Sequence, residues 1–187
     1  MPAISLSLAI ARIGSGKEAF LRTLRVAESF ADEIVAIHVG LEHAADVWNR
    51  CFAQAKADYI LWLYPGETLA GEHVEKLRRL KETMPGDIDV ALMGGQPRLV
   101  RRENRYTWFE PVRPYLQVWG KKIFTDITIQ DAKKPWRPQE TVQICENAMA
   151  NGETLSSRTC YFYAQALKKC GREEEARRFE KLFLATC

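Results

Sequence analysis

Apolar positions in the first half of the chain alternate between two rhythms. Residues 4–11 (ISLSLAIA) form a short apolar run suited to a buried first strand, which Gly14, Ser15 and Gly16 bring to an end. Ala19, Phe20, Leu24, Ala27 and Phe30 then recur at helical spacing and predict a helix over 17–30. Residues 33–39 (EIVAIHV) predict a second strand closed by Gly40, and 44–56 a second helix. The strongest strand signal is 59–64 (YILWLY), stopped by Pro65-Gly66. Val74, Leu77 and Leu80 mark one face of a helix over 72–83, Met84-Pro85-Gly86 stop it, and 89–93 predict a further strand. Strand and helix alternate throughout this stretch, which implies an α/β fold with right-handed crossovers and a mainly parallel sheet.

From Gly94 to Pro138 the pattern changes. Prolines and aromatics are dense, and 98–102 and 123–129 are the best strand candidates. Beyond Pro138 the periodicity is helical over 139–150, 157–170 and 173–185, with Asn151-Gly152 and Cys170-Gly171 as stops. The last two helices are similar to a tetratricopeptide hairpin centred on Ala164, Leu167, Gly171 and Ala176. Its aromatic stands at Phe179, where the usual spacing falls on Glu180. A single unit of this kind cannot bury its own face, so it is expected to pack on the α/β part, whether as such a hairpin or as a generic helical cap. The expected division is an α/β domain over 1–136 and a helical appendage over 137–187.

Composition narrows the class without naming a function. With 187 residues, 47% hydrophobic and 27% charged, the chain can build a core. A net charge of +3, with 27 bases interleaved among 24 acids, argues against nucleic acid as the main partner. Five scattered cysteines without a CxxC pair read as reduced thiols and point to the cytoplasm. No signal peptide is expected, and no run approaches the ~18 apolar residues of a membrane span.

The loop Ile13-Gly14-Ser15-Gly16-Lys17-Glu18 sits where a phosphate loop belongs. A P-loop needs glycine where Ala11 stands and Ser or Thr where Glu18 stands, which disfavours a P-loop phosphotransferase. The loop therefore reads as a strand-to-helix turn capped by Ser15. His38, inside an apolar strand, reads as a buried, satisfied histidine, and His43 and His73 as solvated turn residues. Trp108, Phe109, Tyr115 and Trp119 offer rings for stacking a sugar or base, or for packing. The charge runs 76–81 and 172–178 read as solvated helix faces.

A family becomes visible in residues 46–69 (DVWNRCFAQAKADYILWLYPGETL). Asn49 lies on a helix, Ala57-Asp58 forms a link, and an apolar strand ends before Glu67. The opening strand, the segment FADEIVAIHV, Arg98-Leu99-Val100-Arg101-Arg102 and the loop over 108–116 occur in the matching order. Together these pieces, over about 115 residues, resemble the family-2 glycosyltransferases of GT-A fold. The resemblance implies transfer of a sugar from a nucleotide-diphosphate donor to a hydroxyl acceptor, assisted by a divalent metal, manganese or magnesium. It places Ala9, Ala11, Arg12, His38 and Asn49 at the nucleotide, and a chain poor in metal ligands would rely on Arg98 and Arg113 to hold the phosphates. It makes Glu67 the metal ligand and Glu110 the base that takes the acceptor proton.

Three departures bear on the chemistry. Tyr64 and Gly66 stand where the family carries its Asp-x-Asp pair, and Val112-Arg113-Pro114 stands where it carries Val-His-Glu. The loop after the second strand is shorter by about fifteen residues. Glu67 also reads as a carboxylate favoured at a helix N-terminus. Two readings remain open: a transferase relying on arginines to hold phosphate, and a catalytically inactive binding or scaffold protein that meets a protein partner through its C-terminal helices.

Overall fold

In the computed structural model, which describes residues 3–14, 16–130 and 137–185, strand and helix alternate in the expected order. The chain runs β1 (Leu6–Ile13), α1 (Lys17–Ala27), β2 (Glu33–Val39), α2 (Ala44–Gln54), β3 (Tyr59–Trp62), α3 (Gly71–Thr83) and β4 (Val90–Met93). Side-chain alternation along the strands then builds two cores. Leu6, Leu8 and Ile10 of β1, with Tyr59 and Leu61 of β3, pack with Phe20 and Ala27 of α1 and Val74 and Leu77 of α3. Ala9 and Ala11, with Ile60 and Trp62, pack instead with Val47, Trp48, Cys51 and Phe52 of α2. Buried strands covered on both faces read as continuous apolar runs, and so they do here.

The remaining strands are β5 (Gln96–Arg101), β6 (Thr107–Phe109), β7 (Tyr115–Gln117) and β8 (Lys122–Thr125). The six-stranded sheet has the order β2-β1-β3-β5-β4-β8. β1 is parallel to β2 and β3, and β4 to β8, whereas β5 is antiparallel to both β3 and β4. The sheet is therefore mixed, where the sequence rhythm suggests a mainly parallel one. The reason lies at Gly94-Gly95, both at positive φ (57° and 77°), which join Met93 directly to its partner Gln96. Two consecutive residues of this kind make a tight hairpin, and a hairpin reverses the chain instead of carrying it over the sheet.

β6 and β7 form a small separate hairpin whose Trp108 and Leu116 enter the α2-side core. β8 ends at Thr125, short of the expected Ile129.

Helices α4 (Pro138–Ala150), α5 (Ser157–Lys169) and α6 (Glu173–Leu184) complete the described chain, giving six α-helices among the described residues. Ile144, Cys145, Tyr163, Ala164, Leu167 and Ala176 form a third core around Val112, with Ile13 and Leu41 packed against it, so these helices dock on the α/β part as expected. Phe179 reaches the Tyr163 ring at 4.6 Å, which gives the displaced aromatic a packing role. Gly171 (φ 78°) ends α5, with the Arg172 N–H donating to Leu167 O at 2.9 Å. The expected cap Ser15, Cys187 and the residues leading to the boundary at 136 lie outside the described residues. The other four cysteines are free thiols. Among the described residues no helix is long and apolar enough to cross a membrane.

The link before β3 is pinned to β1 by paired side-chain bonds. Asp58 Oδ2 accepts from the Ser5 N–H at 2.9 Å and from Ser5 Oγ at 2.7 Å, while the Asp58 N–H donates back to Ser5 Oγ at 2.9 Å. The backbone and hydroxyl bonds from Ser5 hold the Asp58 carboxyl below its ordinary value. A lowered carboxyl stabilises the fold fully above the unfolded value near 3.8 and loses that contribution as pH falls through the folded one. Asp58→Asn is expected to cost about 1 kcal/mol at pH 7, discounted for solvent exposure. The variant should also flatten the loss of stability below about pH 4, read by urea unfolding across pH.

Candidate ligand-binding crevice at the strand ends

The β3 strand runs out at Trp62, and the turn that follows carries the residue expected to hold a metal. Glu67 does not face solvent; it is 5% exposed. Its carboxylate forms a two-pronged pair with Arg98 at the start of β5, Nη1 to Oε2 and Nη2 to Oε1, both at 2.7 Å. The Tyr64 N–H donates to Oε2 at 2.7 Å. The Arg98 guanidinium lies 4.0 Å from the Trp62 ring centroid, so it is held between an aromatic face and a carboxylate. Thr23 of α1 closes the turn: its Oγ1 accepts from the Gly66 N–H and donates to Glu67 O, each at 2.8 Å.

The expected metal ligand and an expected phosphate arginine thus neutralise one another. To meet a cation, Glu67 would have to give up both guanidinium bonds and the Tyr64 N–H. Among the described residues no group of three or more His, Cys, Asp or Glu is placed to hold a metal ion. The donor set at Glu67 does not fit a divalent cation.

Glu110 is likewise committed. It stands at φ 81° and its Oε2 accepts from Ser156 Oγ at 2.7 Å and from the Thr159 hydroxyl, at the N-terminus of α5. Ser156 in turn caps that helix by accepting from the Thr159 N–H at 3.1 Å. The carbonyls of Glu110 and Pro111 accept from the N–H groups of Ala45 and Ala44, which open α2 without a side-chain cap. Glu110 is therefore a clasp between α2 and α5, made by its backbone carbonyl and its Oε2.

The residues expected at a nucleotide separate. Ala9 and Ala11 are 0% and 4% exposed and lie beneath α2, so their side chains line no crevice. Arg12, half-buried, donates to Gly14 O at 2.9 Å and lies over the Phe20 ring, with its Nε buried and unpaired. Asn49 bridges both polar groups of the Trp108 backbone, donating to its O at 3.1 Å and accepting from its N–H at 2.8 Å. Its role is that of a strand partner for β6.

The histidines also depart from expectation. His38 is exposed, not buried, because β2 is an edge strand. His43 and His73 are half-buried: His43 Nε2 lies 3.2 Å from Glu153, and His73 Nδ1 accepts from the Thr128 N–H at 3.2 Å. Within the two charge runs, Lys81 pairs with Asp32 and Arg172 with Glu146 and Glu175, so both contain structural pairs.

Beyond Tyr64 lies an exposed cluster of arginines and aromatic rings, and Arg158, which the sequence reading missed, belongs to it. Arg113 (φ 47°) and Arg158 are both exposed, and their guanidinia lie 4.5 and 5.0 Å from the Phe162 ring centroid. Arg158 also lies 5.4 Å from the Tyr115 ring and donates to Arg113 O at 2.9 Å. Tyr115 stacks on Phe109 at 5.7 Å, and the two rings are 43% and 39% exposed. Neither arginine has a carboxylate within 4 Å among the described residues. Tyr64 joins this cluster to the turn, with its hydroxyl 3.4 Å from Pro114 O. Burial pushes its phenol up to about 12 against the pull of Arg98 and Arg158. Trp108, by contrast, is a packing residue, stacked on Trp48 at 4.9 Å and set edge-on to Trp62 at 4.8 Å.

No family model matches the chain, and no curated protein matches it in sequence. Weight therefore falls on the geometry. Removing Glu67 strands a guanidinium whose side chain is 11% exposed. Glu67→Ala is accordingly expected to cost about 3–5 kcal/mol in urea unfolding, and Glu67→Leu combined with Arg98→Met distinctly less.

Proposed function

We propose that this chain is a GT-A-like domain that binds a phosphate-bearing ligand of the nucleotide-sugar type at the strand ends and does not transfer the sugar. The observation that carries this reading is the commitment of Glu67 to Arg98. A carboxylate locked in a buried fork has no free charge for a metal, and Glu110 is tied through its Oε2 to two hydroxyls of the α5 N-terminus. Binding draws support from Arg113 and Arg158, two unpaired guanidinia suited to phosphate, and from the exposed pair Phe109–Tyr115, suited to a base or sugar face. The C-terminal helices, tetratricopeptide-like in their hairpin, would present this crevice to a protein partner.

The active-transferase reading rests on the ordered sequence resemblance. It requires the Glu67–Arg98 fork to open.

Titration with UDP- and GDP-sugars, with and without manganese, separates the two. The expected result is a heat of binding that does not depend on manganese, weakens about tenfold in Arg113→Gln or Arg158→Gln, and accompanies no release of nucleoside diphosphate. Manganese-dependent release of the diphosphate, lost in Glu67→Ala, would establish the transferase. No heat with any nucleotide would remove the ligand reading.

A further inference from the structure

At the other end of β3 the structure holds a cleft of ≈ 700 Å³ that the strand-end reading does not use. Its place follows from register: Arg101, at the end of β5, pairs with Tyr59, the first residue of β3. The cleft therefore opens at the opposite end of β3 and β5 from Glu67. Its apolar wall is Phe52, Ala53 and Ala55 at the end of α2, with Ile60 and Val100 as floor. Facing that wall is the turn over 102–107, which carries Arg102, Glu103 and Arg105.

This rim is built rather than incidental. Asn104 Nδ2 donates to Asp89 Oδ1 at 2.9 Å and to Tyr106 Oη at 2.7 Å, and Tyr106 Oη donates to Trp119 O at 2.7 Å. Asn49 fixes the far end through Trp108. The cleft is thus preformed. Arg101 is neutralised by Asp89 at 3.3 Å. Arg102 donates through Nε to Ala57 O at 2.8 Å, and no carboxylate lies within 4 Å of its guanidinium among the described residues. Arg105 is exposed, stands at φ 49°, and makes no side-chain hydrogen bond or ion pair to the described residues. A bulky residue in the left-handed region is strained, and strain of this kind collects at binding sites. Glu103 is the sole carboxylate of the lining, so Arg102, which feels Asp58 only at longer range, and the unpaired Arg105 outweigh one acid.

We propose that this cleft binds a small anionic amphiphile: an apolar ring or short chain seated between α2 and the floor, with its acidic group between Arg102 and Arg105. An apolar wall with a few convergent charged groups is the usual make-up of a small-molecule site.

The probe is 1-anilinonaphthalene-8-sulfonate, followed by its fluorescence on the full chain, with neutral N-phenyl-1-naphthylamine as the uncharged comparison. The expected result is saturable binding at one site that the neutral probe does not match. Arg105→Gln should weaken it about tenfold, the loss of one charge-assisted contact, while Lys169→Gln, an exposed lysine elsewhere, leaves it unchanged. Ala53→Phe, which fills the cleft from an exposed helix position without altering charge, should abolish it. Both Arg105→Gln and Ala53→Phe sit at exposed positions, and circular dichroism confirms their fold. A non-saturating signal, or saturable binding that neither variant alters, overturns the proposal.

Discussion

The buried fork between Glu67 and Arg98 governs the end of the sheet at which the exposed arginine–aromatic cluster lies. Three elements meet there: the turn after β3 supplies the carboxylate, the start of β5 the guanidinium, and α1 supplies Thr23, which ties Gly66 and Glu67 down. A carboxylate at 5% exposure needs a partner of opposite charge and donors for its remaining lone pairs, and it has both in Arg98 and the Tyr64 N–H. The same satisfaction withdraws Glu67 from chemistry. Positive charge left without an internal partner lies farther out, at Arg113 and Arg158, where the helical appendage meets the α/β part.

Between the two candidate sites runs one segment under backbone constraint. The non-glycine residues at positive φ among those described are Arg105, Glu110 and Arg113. Arg105 stands on the rim of the cleft, Glu110 clasps α2 to α5, and Arg113 lies over the Phe162 ring. Such conformations persist when the surroundings over-determine them. Here Asn49, Tyr106 and the N-termini of α2 and α5 do so, which leaves the whole stretch fixed by neighbours distant in sequence.

That distance explains what the sequence disclosed. The elements from β1 to β4 are legible because their signals are local: alternating apolar runs, helical spacing and glycine or proline stops. The direction of β5 is not legible from rhythm alone, although Gly94-Gly95 carries a hairpin signal. The β6–β7 hairpin escapes because three-residue strands among prolines show too little alternation to register. In the site, Glu67, Arg98, Glu110, Asn49 and Arg113 stand out in sequence, but their roles depend on partners 31 to 59 residues away, such as Arg98 for Glu67 and Trp108 for Asn49. Arg158 carried no motif at all; a basic residue in the first turn of a helix gives no sign that it will meet Tyr115 and Phe162.

Whether Glu67 is a structural anion or a latent metal ligand decides between binding and transfer. The most direct measurement is paramagnetic broadening of backbone amide signals on adding manganese alone. The account predicts that Tyr64, Gly66 and Glu67 keep their line widths, since the carboxylate stays with Arg98. Selective broadening of those three amides at low manganese would contradict it.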